Sequence, residues 1–103
     1  MNLLARPLSK PGPLVSSSDS RQLVSGYVLL KPGKDVGEHE TGGGEELLVL
    51  IEGTADVSLG GKAETVRAPA VVLVPARTSH NVKNRSKVPL KYVYVYVIAM
   101  DRS

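Results

Sequence analysis

The 103-residue sequence predicts an all-β fold, an antiparallel barrel or sandwich, on three observations. After residue 20 no stretch carries three or four turns of helical periodicity. Seven or eight short apolar runs follow one another closely, punctuated by Gly and Pro. The final run alternates with a period of two, Tyr92, Tyr94 and Tyr96 on one face against Val93, Val95 and Val97 on the other. The length is that of one domain, and no repeat of fixed period divides it.

Residues 1–20 read as an N-terminal arm, with the barrel domain over 21–103. The arm carries Pro7, Pro11 and Pro13 and a serine-rich run from Ser16 to Ser20, which remove amide donors and favour turns. Its Leu3, Leu4, Leu8, Leu14 and Val15 point to docking on something apolar, as a short strand on the sheet edge or on a partner subunit. Arg21 to Lys31 is a β-rich run that Pro32-Gly33 ends. Glu45 to Glu52 contains Leu47-Leu48-Val49-Leu50-Ile51, apolar at successive positions, so both faces of this strand should be buried. Thr54–Leu59 and Lys62–Ala68 flank Gly60-Gly61, a two-residue hairpin signal. Val71–Val74 stops at Pro75, His80–Asn84 follows, and Val88–Met100 is the longest run. On that run the expectation is that Val fills the core and Tyr covers an outer or subunit-facing surface. The sharper alternative has a tyrosine hydroxyl lining a ligand pocket.

Composition narrows the chemistry. At 42% hydrophobic and 22% charged residues the chain is globular in type, with no apolar run of membrane-spanning length. The absence of cysteine excludes a disulfide scaffold, a thiolate metal site and a cysteine nucleophile. Phe and Trp are also absent, so Val, Leu and Ile must build the core. Late basic residues (Arg77, Lys83, Arg85, Lys87, Lys91) come with neither a recognition helix nor aromatic stacking platforms, which argues against a nucleic-acid partner. The N-terminus lacks the apolar run of a signal peptide, leaving a cytoplasmic location as the default.

Only two histidines occur, His39 and His80. Glu46 opens the doubly apolar strand, where a carboxylate is costly unless paired, hydrogen-bonded or bound to a cation. Two imidazoles and a carboxylate suit a divalent transition ion such as Fe, Mn, Ni, Zn or Cu. Three protein ligands would leave positions for water or substrate.

The arrangement Gly33-x5-His39-x-Thr41-x4-Glu46-x6-Gly53 resembles the first motif of the cupins, and Pro75-x-Arg77-x2-His80-x3-Asn84 resembles the second. The resemblance implies a cupin-type antiparallel β-barrel, also described as a jelly roll or double-stranded β-helix. It implies metal ligation by His39, Glu46 and His80. Thr41 stands where cupins usually have a second histidine of the first motif, and Arg77 stands where the second motif has glycine. Glu38, Glu40 or Glu45 could add an oxygen ligand, although Glu45 should face away from Glu46. Gly33, Gly53, Pro75 and Asn84 read as turn chemistry, and Gly42-Gly43-Gly44 as a flexible loop.

The resulting expectation is a metal-binding cupin, an enzyme of oxygenase or isomerase type acting on a small organic molecule. Arg77, Tyr92, Tyr94 and Tyr96 are the candidate substrate contacts. A different class of reading is a metal-free module that binds a sugar or organic acid. The expected partners are a small-molecule ligand and a second copy of the chain: small cupins commonly pair, and the arm and Tyr-rich strand offer surface to bury.

Overall fold

A computed structural model describes residues 3–98. Within them nine strands form two antiparallel sheets that face each other. They are β1 (Gly12–Val15), β2 (Leu23–Leu30), β3 (His39–Glu40), β4 (Glu45–Glu52), β5 (Thr54–Leu59), β6 (Lys62–Arg67), β7 (Ala70–Val74), β8 (Ser79–Lys83) and β9 (Leu90–Val97). The larger sheet runs β1-β2-β9-β4-β7 and the smaller β3-β8-β5-β6. No helix occurs among the described residues, and none is therefore long and apolar enough to cross a membrane.

The strands β4 and β5 have the expected bounds, and the others shift by one to three residues at their ends, where Gly, Pro and Ser frays the pattern. The end of the last predicted run, at residues 99 and 100, lies outside the described residues. β1 is the short edge strand expected of the arm; it pairs with β2, with a register irregularity between Pro13 and Val15. One strand was not legible as a separate element: β3 is only two residues long and exists by pairing with β8.

Alternation decides what each sheet turns inward. Leu48 and Leu50 of β4, Val74 of β7, Val57 and Ala55 of β5, Val82 of β8, and Leu30, Leu90 and Tyr92 make the buried core between the sheets. Burying each Leu-sized side chain contributes roughly 1.5–3 kcal/mol, which is how nine short strands hold together without disulfides.

On β9 the structure reverses the expected faces. Tyr92 pairs with Val28 and Leu50, and Tyr94 with Gly26 and Leu48, all on the inner face. Val93 and Val95 pair with Tyr27, Val49, Ser25 and Leu47 on the outer face. With no Phe or Trp in the chain, the tyrosines are the largest apolar bodies available to fill the space between the sheets. Gly26 makes this packing feasible, since a Cβ there would stand 2.5 Å from the Tyr94 hydroxyl and 2.6 Å from its ring. The second correction concerns β4. Its inner residues are buried, but the outer Leu47 and Ile51 are 37% and 42% exposed, so one chain covers only one face of this strand.

Asn84 fastens the β8–β9 connection. Its side-chain amide donates to the carbonyls of Leu30 (2.9 Å) and Val88 (2.8 Å), and its oxygen accepts from the Ser86 amide and hydroxyl. Every polar group of this buried side chain is thereby satisfied.

Candidate metal centre

Three strands from both sheets converge on one small cavity. β3 supplies His39, β8 supplies His80 and β4 supplies Glu46. Their ligating atoms all lie within 4.8 Å of one another. His39 and His80 are direct partners in the β3–β8 ladder, which places both rings on the inner side of the smaller sheet. Glu46 pairs with Tyr96 and Val74, whose inward orientation turns the carboxylate toward the histidines from the opposite sheet.

The hydrogen bonds define which nitrogen each imidazole presents. His39 Nδ1 lies 2.9 Å from the Gly37 carbonyl, and His80 Nδ1 lies 3.0 Å from the Thr78 carbonyl. A carbonyl only accepts, so each Nδ1 carries a proton and donates it, and in the neutral ring Nε2 is the nitrogen left with a lone pair. His80 Nε2 is buried, has no hydrogen-bond partner and stands 3.4 Å from Glu46 Oε1. This contact is a salt bridge only if Nε2 is protonated; in the neutral ring Nε2 and Oε1 are both acceptors. A lone pair and a carboxylate oxygen facing each other in a buried site are mutually repulsive unless a proton or a metal cation lies between them. The set of two imidazole nitrogens and one carboxylate oxygen, each imidazole backed by a carbonyl, therefore fits a divalent transition ion.

Thr41, in the place of a further histidine, is buried and acts on His80. Its hydroxyl donates to the Thr78 carbonyl at 2.9 Å and lies 3.4 Å from His80 Nδ1. One carbonyl thus holds both side chains. Glu38 accepts a hydrogen bond from Ser79, Glu40 is exposed, and Glu45 is exposed on the outer face, so none of the three joins the cluster.

The cavity measures about 170 Å³, with Val28, Val36 and Val82 as apolar walls and Tyr92 and Tyr94 beside the ligand set. Burial pushes the Tyr92 hydroxyl well above the ordinary phenol range, and the Glu46 and Tyr94 charges add to the shift. Tyr92 is consequently a hydrogen-bond donor at any physiological pH.

Two candidate contacts are not brought to the cavity. Arg77 is exposed in the turn before β8, with φ of 52° and its amide donating to the Gly42 carbonyl at 2.7 Å. A left-handed backbone explains why glycine suits this place, and the turn sends the Arg77 side chain to solvent instead of into the site. Tyr96 is used on the glycine loop, where its hydroxyl accepts from the Gly44 amide at 3.0 Å. A Cβ on Gly44 would fall 1.8 Å from the Val97 carbonyl oxygen, so this loop is closely packed and pinned at both ends, not free. Reasoning from sequence missed the Gly37 and Thr78 carbonyls, because a backbone acceptor has no residue signature. Only the position of Thr78, two before His80, hinted at its role.

Residues 26–96 match the family model described as Cupin domain. A search of curated protein sequences returns no match. Among solved structures, a predicted oxalate decarboxylase from Thermotoga maritima superposes with a TM-score of 0.80 at 22% identity, over 85% of this chain and 78% of that one. A Cupin 2 conserved barrel domain protein from Salinispora arenicola gives 0.80 at 20% identity, over 96% and 92%. A Bacillus halodurans protein gives 0.72 at 26% identity, over 79% and 66%.

Proposed function

Because the chain belongs to the cupin domain family, we propose that it binds a divalent transition metal through His39, Glu46 and His80 and holds a small organic molecule beside it. The observation that carries this reading is the orphaned Nε2 of His80, buried and turned toward the Glu46 carboxylate. When bound, the ion would act as a Lewis acid toward a substrate oxygen or an attached water, in reactions of oxygenase or isomerase type.

The chain's own residues divide the remaining work. His80 and Glu46 are held deep between the sheets, whereas His39 is exposed and forms the solvent side of the cluster. A ligand therefore enters past His39. The cavity lies below the roughly 300–1,000 Å³ of pockets for drug-sized ligands, which favours a molecule of few heavy atoms such as a small organic acid. Tyr92, kept protonated, can donate to such a ligand, with Tyr94 next to it. With Arg77 directed to solvent, an anionic ligand would depend on the metal and the tyrosines for its charge partners.

The test is elemental analysis of protein purified without chelator, wild type beside His39→Ala. Near-stoichiometric metal in the wild type and its loss in the variant is the expected result. If neither protein carries metal and added divalent ions do not bind, the site is a metal-free cup. Stabilisation by sugars or organic acids that is indifferent to His39→Ala would then identify the binding-module alternative.

A further inference from the structure

We propose that the groove between β6 and β7 binds a short apolar peptide, of dipeptide length, with a free amino end and a free carboxyl end. β6 is the outermost strand of the smaller sheet and β7 of the larger, and the cavity between them measures about 640 Å³. That lies within the roughly 300–1,000 Å³ of small-ligand pockets, whereas the metal cavity lies below it. Val57, Leu59, Val66 and Val72 give it apolar walls. It is separate from the metal centre: Leu59 and Val57 line the groove, and their ladder partners His80 and Val82 line the other cavity.

Two charged side chains select the ends of the ligand. Residues directly opposite in a ladder share a face, so Lys62, opposite Leu59, and Glu64, opposite the buried Val57, lie on the inner face of β6. Both line the groove. Among the described residues neither enters an ion pair, with the other or with a third group. A cation and an anion side by side among apolar walls complement a zwitterion with an apolar body. Same-face residues two apart on a strand stand about 6.8 Å from each other, at about 3.4 Å per residue. An extended dipeptide holds its ammonium and carboxylate over the same two-residue span, which sets the ammonium at Glu64 and the carboxylate at Lys62. A free amino acid spans half of this, and a tripeptide half as much again.

The backbone supplies partners for the middle of the ligand. An outermost strand leaves a row of N–H and C=O groups unpaired, and β6 and β7 both carry such a row beside the groove. The peptide group of a dipeptide offers one donor and one acceptor to these rows. β7, Ala-Val-Val-Leu-Val, has no charge or proline to keep a ligand from its edge. The apolar side chains of the ligand then cover Val66 and Val72, which the chain itself buries only in part.

Isothermal titration of the full chain with leucyl-leucine tests the proposal. Saturable binding is expected, weakened at least about tenfold by N-acetylation or by C-terminal amidation of the peptide. Glu64→Gln and Lys62→Met, both at exposed positions, should keep the fold and weaken binding by a similar factor. On Glu64→Gln the N-acetyl peptide should lose nothing further. Leucine and trileucine should each bind more weakly than the dipeptide. In amide NMR spectra the residues perturbed by the peptide should be those of β6 and β7. No saturation at millimolar peptide overturns the proposal, and the inward charges then serve only to protect the β6 edge. Binding indifferent to both variants, or tighter binding of the tripeptide, overturns it too. So does perturbation centred on His39, Glu46 and His80, which would place the peptide at the metal centre.

Discussion

His39 and His80 face each other across the β3–β8 ladder, with ring centroids 4.1 Å apart and planes inclined by 57°. Each Nδ1 is tied to a backbone carbonyl, so both rings offer Nε2 to the same point, beside Glu46. The two-residue strand β3 thus acts as a bracket for one ligand, and its pairing with β8 sets the spacing of the pair.

A divalent metal should stabilise the folded chain, because the three ligands converge only when both sheets are in place. At about 100 times the dissociation constant the gain is roughly 2.7 kcal/mol. For a domain of this size that raises the melting temperature by about 10–20 °C. His39→Ala should abolish the metal-dependent shift while barely moving the metal-free melting temperature, since His39 is exposed. Differential scanning calorimetry with and without metal makes the comparison.

Thr41→Val keeps the shape of a buried side chain but removes the hydroxyl that shares the Thr78 carbonyl with His80. The expected loss is about 1 kcal/mol of stability, the net worth of one hydrogen bond. Metal affinity should fall about tenfold, as for other outer partners of a ligating histidine. Thr41→Ser should restore both. Isothermal titration with metal reads the affinity, and unchanged binding in Thr41→Val would show that the hydroxyl does not orient His80.

Gly26→Ala tests how the tyrosine face is accommodated. The new Cβ would collide with the Tyr94 ring, so the side chain must leave its place beside the cavity or the strands must part. Overpacking of this kind costs typically 1–3 kcal/mol. Chemical denaturation should report a loss in that range, and Gly26→Ala with Tyr94→Ala should recover part of it.

The arm offers a pH test. Arg6, hydrogen-bonded to Asp19 at 2.7 Å, holds that carboxyl well below the usual carboxylate range, with the Ser16 amide assisting. A depressed value means that the stabilisation is fully present above the unfolded value of about 3.9 and is lost as pH falls through the folded one. The carboxyl carbon of Asp19 in an NMR titration should therefore stay in its ionised position at pH values where exposed carboxylates have titrated. Because the pair is solvent-accessible, high salt should weaken it.

Much of the site was legible because histidine is scarce. Both histidines and Glu46 stand at positions whose chemistry asks for them, and the structure brings all three together. The strand runs were legible for a similar reason, since Gly60-Gly61 and the prolines mark where pairing must stop. The tyrosine faces were not legible. A strict period of two separates Tyr from Val on β9 but does not say which set faces the core, and both are compatible with burial.

What the sequence by itself determined is the all-β class, most strand bounds and the three candidate ligands that the structure brings together, because these rest on local alternation, turn residues and donor chemistry. What only the tertiary structure decided is orientation and contact. The register against Gly26 and Leu48 turned Tyr94 inward, a left-handed turn turned Arg77 outward, and pairing with β8 created β3. Each depends on residues distant in the chain, and a one-residue change of register would exchange the two faces of a strand without altering its pattern.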